Sequence, residues 1–182
     1  MARMPRLEAL HPRHAASLLA FERENRAYFA ASVPDRGDAY FAEFDARLRA
    51  LLAEQDAGVC FFHVLTDETG EVLGRVNLVD AAGGAADLGY RIAERATGRG
   101  LATAAVREVC ALAATAYGLR SLRAAATRDN AASRAVLART GFRPVGELVL
   151  NGRPAIRFAV DLPAAGPTAP AGPFSRSVRP PG

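Results

Sequence analysis

Residues 88–106, LGYRIAERATGRGLATAAV, decide how the rest of the chain is read. A β-rich stretch ends at Ile92, a loop follows that holds Arg95, Gly98, Arg99 and Gly100, and a helical pattern starts at once. A helix placed directly after such a loop aims the unpaired N–H groups of its first turn, here Leu101, Ala102 and Thr103, at one point. The helix dipole adds to them, and the point attracts an anion. Gly98 and Gly100 have no Cβ, so the backbone can come close to a pyrophosphate. Arg95 and Arg99 offer charge-assisted contacts to phosphate oxygens. Two rival nucleotide loops fail on inspection. A Walker loop needs a lysine before Ser or Thr, and the chain has no lysine. A Rossmann fingerprint needs a third glycine where Thr103 stands, and an acidic residue about 20 positions on, where 116–122 offers none.

Outward from this stretch the periodicity predicts one α/β domain. Toward the N-terminus, Ala86–Ile92 is a strand preceded by a turn at Asp80–Gly84. Two β-rich segments, Val59–Thr66 and Val72–Val79, flank the turn residues Asp67–Gly70. Before them lie a short strand at Arg6–Leu10, a helix opened by Pro12, and a second helix over Asp38–Glu54. The last carries Phe41, Phe44, Leu48, Leu51 and Leu52 at helical spacing. Toward the C-terminus, the central helix runs from Gly100 to Tyr117 with Leu101, Ala105, Val109, Leu112 and Ala116 on one face, and Gly118 stops it. A strand at Leu122–Thr127, a short helix capped by Asp129 or Asn130 and closed by Gly141, and a final strand pair joined at Asn151-Gly152 complete the order β-α-α-β-β-β-α-β-α-β-β. Residues 163–182 are rich in Pro, Gly, Ala and Ser and are expected to form a disordered tail, leaving 1–162 as the domain.

The 182 residues suit one domain with a core. The formal charge is +4, and residues 163–182 hold two arginines and no acid, so the domain itself carries 4 − 2 = +2. Arginines alternate with acids along the chain rather than gathering on one stripe, which argues against a nucleic-acid partner. No apolar run reaches bilayer-spanning length, and no apolar signal segment opens the chain, so a cytoplasmic location without membrane contact is expected. Cys60 and Cys110 have neither CxxC nor metal-ligand spacing, read as free thiols, and no metal is expected.

The motif set LGY…RxxGxGxAT…DNxAS…GF resembles the GNAT N-acetyltransferases, whose coenzyme A loop matches Arg95-x-x-Gly98-x-Gly100-Leu101-Ala102. It is most similar to their branch that acetylates ribosomal-protein N-termini. The resemblance is strongest over 86–146. It implies a single mixed, mostly antiparallel sheet flanked by helices, in which the fourth strand (Leu88–Ile92) and the fifth (Leu122–Thr127) splay apart. It implies acetyl-CoA as co-substrate, with the pyrophosphate on Arg99–Thr103 and the pantetheine held by Asn130. The thioester would then lie near Ser133 and the Tyr90-Arg91-Ile92 edge, whose N–H groups polarise its carbonyl. The acceptor is then an amine, either a protein N-terminus or a small molecule such as a polyamine or antibiotic. A C-terminal edge strand is compatible with a homodimer.

The sequence departs from the family at one telling position. Many members place an acidic tyrosine four residues before the Gly-Phe pair; here Leu137 stands there. Ser133, one helical turn earlier, is the replacement candidate for protonating the leaving thiolate, beside its ordinary use at a helix start. Asp87, opening the fourth strand, and Asn77 are the candidates for facing the acceptor, and His63 reads as structural. The missing tyrosine and base leave open an inactive acyl-CoA-binding sensor. A site without a base suits an α-amine, with a pKa near 8, better than a lysine amine. The segment 25–37 is expected to form the acceptor rim.

Overall fold

The structure is a computed structural model and describes residues 3–164. Seven strands form one sheet: β1 (Arg6–Ala9), β2 (Phe61–Thr66), β3 (Val72–Ala82), β4 (Ala85–Ile92), β5 (Ser121–Thr127), β6 (Arg143–Leu150) and β7 (Arg153–Asp161). Their spatial order is β1-β2-β3-β4-β5-β7-β6. Every neighbouring pair is antiparallel except β4 and β5. The helices are α1 (Ala15–Glu24), α2 (Arg26–Ala30), α3 (Asp38–Ala42), α4 (Phe44–Asp56), α5 (Leu101–Thr115) and α6 (Ala131–Arg139). The mixed, mostly antiparallel sheet and the order of strands agree with the reading of the sequence. The expected 163–182 tail lies outside the described residues except for 163 and 164.

Two helices differ in detail. The expected Asp38–Glu54 helix is interrupted at Glu43, whose φ of −103° and ψ of 16° leave helical geometry, and Phe44 restarts it. The expected rim segment includes the five-residue helix α2. On α5 the buried stripe is Leu101, Ala105, Val106, Val109, Ala113 and Ala114. Leu112 lies at its margin, and Ala116 is exposed past the helix end at Thr115.

Helices α1 and α4 cover one sheet face and α5 and α6 the other. The β3–β4 register shows which residues share each face: Arg75 is opposite Arg91, Val76 opposite Tyr90, and Asn77 opposite Gly89. Since side chains alternate across a strand, Arg75, Asn77, Gly89 and Arg91 lie on the α1 face, and Val76, Leu78, Tyr90 and Ile92 lie toward α5. Burial of Phe21, Leu18, Leu78, Leu122, Val76 and Val109, each at 2% exposure or less, makes the sheet centre the most tightly packed region. At about 25 cal/mol per Å² of apolar surface, each large side chain there contributes about 1.5–3 kcal/mol.

Candidate active site

Strands β4 and β5 pair only through Ala85, Ala86 and Asp87 with Ser121, Leu122 and Arg123. Beyond that point they diverge, so one edge of β4 from Leu88 to Ile92 has no strand beside it. The Ala93 N–H donates to the Leu73 carbonyl at 2.8 Å. By the alternation of an antiparallel ladder, the main-chain groups of Gly89 and Arg91 therefore face β3, and those of Leu88, Tyr90 and Ile92 face the gap. An extended ligand laid into the gap meets N–H and C=O groups from alternate residues, as a further strand would.

At the mouth of the gap, Gly98 and Gly100 take left-handed φ values of 76° and 73°, which turn the chain sharply into α5. Gly100 is the N-cap and no side chain caps this helix end. The first intrahelical bond runs from the Ala104 N–H to the Gly100 carbonyl, which leaves the N–H groups of Leu101, Ala102 and Thr103 free. Buried Asn25 braces the loop: its Oδ1 accepts from the Glu94 N–H at 2.9 Å, while its Nδ2 donates to the Phe21 carbonyl. A groove of about 640 Å³ joins the two features. Tyr90, Arg91, Ile92, Gly98, Gly100 and Leu101–Thr103 line it on one side, and Asn130 and Ser133 on the other. This brings together most of the residues singled out in the sequence.

Arg95 and Arg99 are placed otherwise. The Arg95 guanidinium pairs with Glu71 at 2.9 Å, and Arg99 donates to the Arg95 carbonyl at 2.8 Å, so neither side chain lines the groove. Arg91 and Arg139 are the groove's arginines. Sequence reasoning missed Arg139, the last residue of α6; of the other wall residues, Tyr28, Phe29, Ser32 and Val33 all fall in the expected rim segment. Nothing in a local pattern marks which side of α6 faces a gap made by two distant strands.

At the inner end, Asn130 Oδ1 accepts from the Ser133 N–H at 3.0 Å, capping α6, and the Tyr90 hydroxyl donates to Ser133 Oγ at 3.2 Å. Burial pushes the Tyr90 phenol above its ordinary value, so it stays protonated and remains a donor. Leu137, where family members carry tyrosine, is buried below this pair at 1% exposure. Asp87 is turned elsewhere: its Oδ1 accepts from Arg123 Nε at 2.7 Å, and it lines a separate cavity with Arg123 and Arg157. His63 is buried under α5, with Nδ1 3.0 Å from the Val76 carbonyl and Nε2 2.5 Å from the Tyr117 hydroxyl. Burial drives its pKa down to about 4, so the ring is neutral, donating through Nδ1 and accepting at Nε2.

A second cavity of about 310 Å³ opens on the α1 side of the gap and shares Ser32, Val33, Tyr90, Arg91, Asn130 and Ser133 with the groove. Among the described residues, no aspartate, glutamate or histidine lines either one. No cluster of three or more metal-ligating side chains occurs among them, and no helix is long and apolar enough to cross a membrane.

A splayed parallel strand pair opening onto an uncapped helix N-terminus is a place for a phosphate-bearing ligand with an extended arm. Residues 6–143 match the family model described as the acetyltransferase (GNAT) domain, and the chain belongs to that family. It is an acetyl-CoA-dependent N-acetyltransferase. No curated protein matches the sequence. Among solved structures it is similar to the ribosomal-protein-S5-alanine acetyltransferase from Vibrio fischeri, at 22% identity and a TM-score of 0.84, covering 92% of this chain and 100% of that one. It is also similar to Mycobacterium smegmatis RimJ in complex with CoA-disulfide (25% identity, TM-score 0.77, covering 88% and 86%). A third is the spermidine N-acetyltransferase from Vibrio cholerae in complex with CoA and spermine (18% identity, TM-score 0.71, covering 87% and 96%).

Proposed function

We propose that the chain acetylates the α-amino group of a peptide or protein N-terminus, by direct attack of the amine on acetyl-CoA. The observation that carries this reading is the missing base: no carboxylate or imidazole among the described residues lines the groove or the second cavity. The amine must then lose its proton to water before it attacks. With a pKa near 8, about a tenth of an α-amine is neutral at pH 7, against less than about a thousandth of a lysine ε-amine. The neighbour named as a ribosomal-protein-S5-alanine acetyltransferase is in keeping with this acceptor; the spermidine N-acetyltransferase represents the competing one.

Coenzyme A fits the residues present. The free N–H groups of Leu101–Thr103 suit its pyrophosphate, and the open edge of β4 suits its amide-bearing arm. On this reading the gap-facing N–H groups of Tyr90 and Ile92 polarise the thioester carbonyl. The amine's lone pair forms the C–N bond and the C–S bond breaks; the proton shed by the attacking nitrogen passes to water, and the departing thiolate takes one from Ser133 Oγ, which is resupplied from water through the Tyr90 hydroxyl. A thiol has a pKa of about 8.5, so a hydroxyl pair or a water it holds is sufficient donor. The thiols of the chain stay out of the reaction. Cys60 is buried, and burial pushes the Cys110 thiol up to about 11, so neither supplies the thiolate a ping-pong route needs.

Thiol release from acetyl-CoA, followed with an N-terminal alanyl peptide amide and with spermidine at pH 7, tests the acceptor. The expected result is a higher kcat/KM for the peptide and a mass increase confined to its N-terminus. Preference for spermidine would overturn the assignment.

A further inference from the structure

The second cavity is built of charge that the acetyl-transfer chemistry does not use. Arg36, Arg75 and Arg91 all line it. They converge on one carboxylate, Glu22 of α1, which is buried at 1% exposure. Arg75 Nη1 donates to Glu22 Oε1 at 2.7 Å, Arg36 Nε and Nη2 donate at 3.2 and 3.3 Å, and Arg91 Nη1 lies 3.5 Å from Oε2. Three guanidinium groups against one carboxylate leave two positive charges over. Each guanidinium has five N–H donors; Glu22 accepts from two of Arg36 and one of Arg75, and only an ion-pair contact joins it to Arg91. Packing fixes the planes: Arg36 lies 4.6 Å over the Tyr40 ring and Arg91 5.0 Å over Phe29. Burial, and then the proximity of Arg36, lowers the Arg91 pKa.

Beside these arginines, on the same sheet face, stands Asn77. Its Oδ1 is the one buried side-chain polar atom among the described residues that has no hydrogen-bond partner. Such an atom is destabilising unless something donates to it. Its cross-strand neighbour is Gly89, where an added Cβ would meet nothing within 4 Å. The missing side chain leaves open space over the Asn77 amide, next to the exit of the gap.

We infer that this cavity takes an acceptor whose amine lies beside an anionic group, a carboxylate or a phosphate. The arginines Arg36, Arg75 and Arg91 bind the anion and Asn77 Oδ1 accepts from the amine. The inference rests on the acetyltransferase reading above and narrows its acceptor. It selects against a polyamine, whose several cations would be pressed against surplus guanidinium charge. The same field disfavours an ammonium near the site, which eases loss of the amine's proton where no base is present.

The test uses four C-terminally amidated tripeptides, Ala-Asp-Ala, Ala-phosphoserine-Ala, Ala-Asn-Ala and Ala-Lys-Ala, with thiol release as one readout and calorimetric binding to the CoA-saturated protein as the other. The aspartyl and phosphoseryl peptides are expected to exceed the asparaginyl and lysyl ones by roughly tenfold or more in kcat/KM or affinity, the scale of one charge-assisted hydrogen bond. Comparing the first two with each other distinguishes carboxylate from phosphate as the preferred anion. Arg36→Gln is expected to erase the ratio without changing acetyl-CoA affinity. Gly89→Leu, which fills the space over Asn77, is expected to lower kcat/KM for all four. Equal treatment of the four peptides, preference for Ala-Lys-Ala, or no binding of any to the CoA-saturated protein would overturn the inference. A separate titration with acetyl-CoA alone isolates the underlying reading, because failure there removes the acetyltransferase assignment and the acceptor inference together.

Discussion

The pairing of the Tyr90 hydroxyl with Ser133 Oγ at 3.2 Å gives the site a donor where the usual tyrosine is replaced by Leu137. Sequence alone offered Ser133 for this work. Tyr90 was legible only as part of a strand edge, because its partner is 43 residues away and on the opposite side of the gap. On the proposed mechanism, Ser133→Ala is expected to lower kcat roughly tenfold to a hundredfold, at the low end of what a positioned proton donor supplies, with acetyl-CoA affinity little changed. The cap on α6 survives, since Asn130 bonds the backbone N–H of residue 133. Tyr90→Phe should lower kcat in the same direction, and the double variant should lose less than the product of the two single losses, because the two hydroxyls act in series. Single-turnover rates of the three proteins check this; strictly multiplicative losses would separate the two groups.

The decisive elements are β4, the 93–100 loop and α5, and their sequence was read correctly because three local signals agree there: a β-rich run, two glycines and an amphipathic helix. Helix α5 has no side-chain cap, so its first-turn N–H groups remain available to a ligand. Gly100→Val forces a β-branched residue into a φ near 73°, a strain of about 1–3 kcal/mol. The loop is expected to relax and turn the Leu101 N–H away, weakening acetyl-CoA binding at least roughly tenfold in an equilibrium titration while the far-ultraviolet spectrum is kept. The two elements that sequence misjudged are instructive in the same way. The break at Glu43 and the pairing of Arg95 with Glu71, 24 residues away, are not encoded in any local periodicity.

For the molecule as a whole, the sheet order and the single parallel pair follow from the strand sequence once the two crossover helices are recognised. The acceptor side does not. Glu22, Arg36, Arg75 and Arg91 come from α1, the loop after α2, β3 and β4; the first three read singly as ordinary surface charges, and Arg91 only as part of the thioester edge. Only the folded sheet brings them to one face. The fold also has a defined acid sensitivity. His63 is held neutral at 1% exposure with its pKa near 4 against about 6.5 when unfolded. The unfolded chain therefore binds the extra proton first as pH falls, and stability declines from pH 6.5 down to pH 4. The loss from this group amounts to about 3 kcal/mol at the lower limit. Urea unfolding at pH 7 and pH 4.5 should show this decline, and His63→Gln should flatten the part of it that lies in this window.

The central claim is that the gap between β4 and β5, with the first turn of α5 at its mouth, is where acetyl-CoA binds. Backbone amide chemical shifts of the isotopically labelled protein, recorded during a titration with acetyl-CoA, report on this directly. The largest changes are expected at Leu101, Ala102 and Thr103, and at the gap-facing amides of Tyr90 and Ile92, with Gly89 and Arg91, whose amides face β3, moving less. Saturable changes centred elsewhere on the sheet, or none at all, would contradict it.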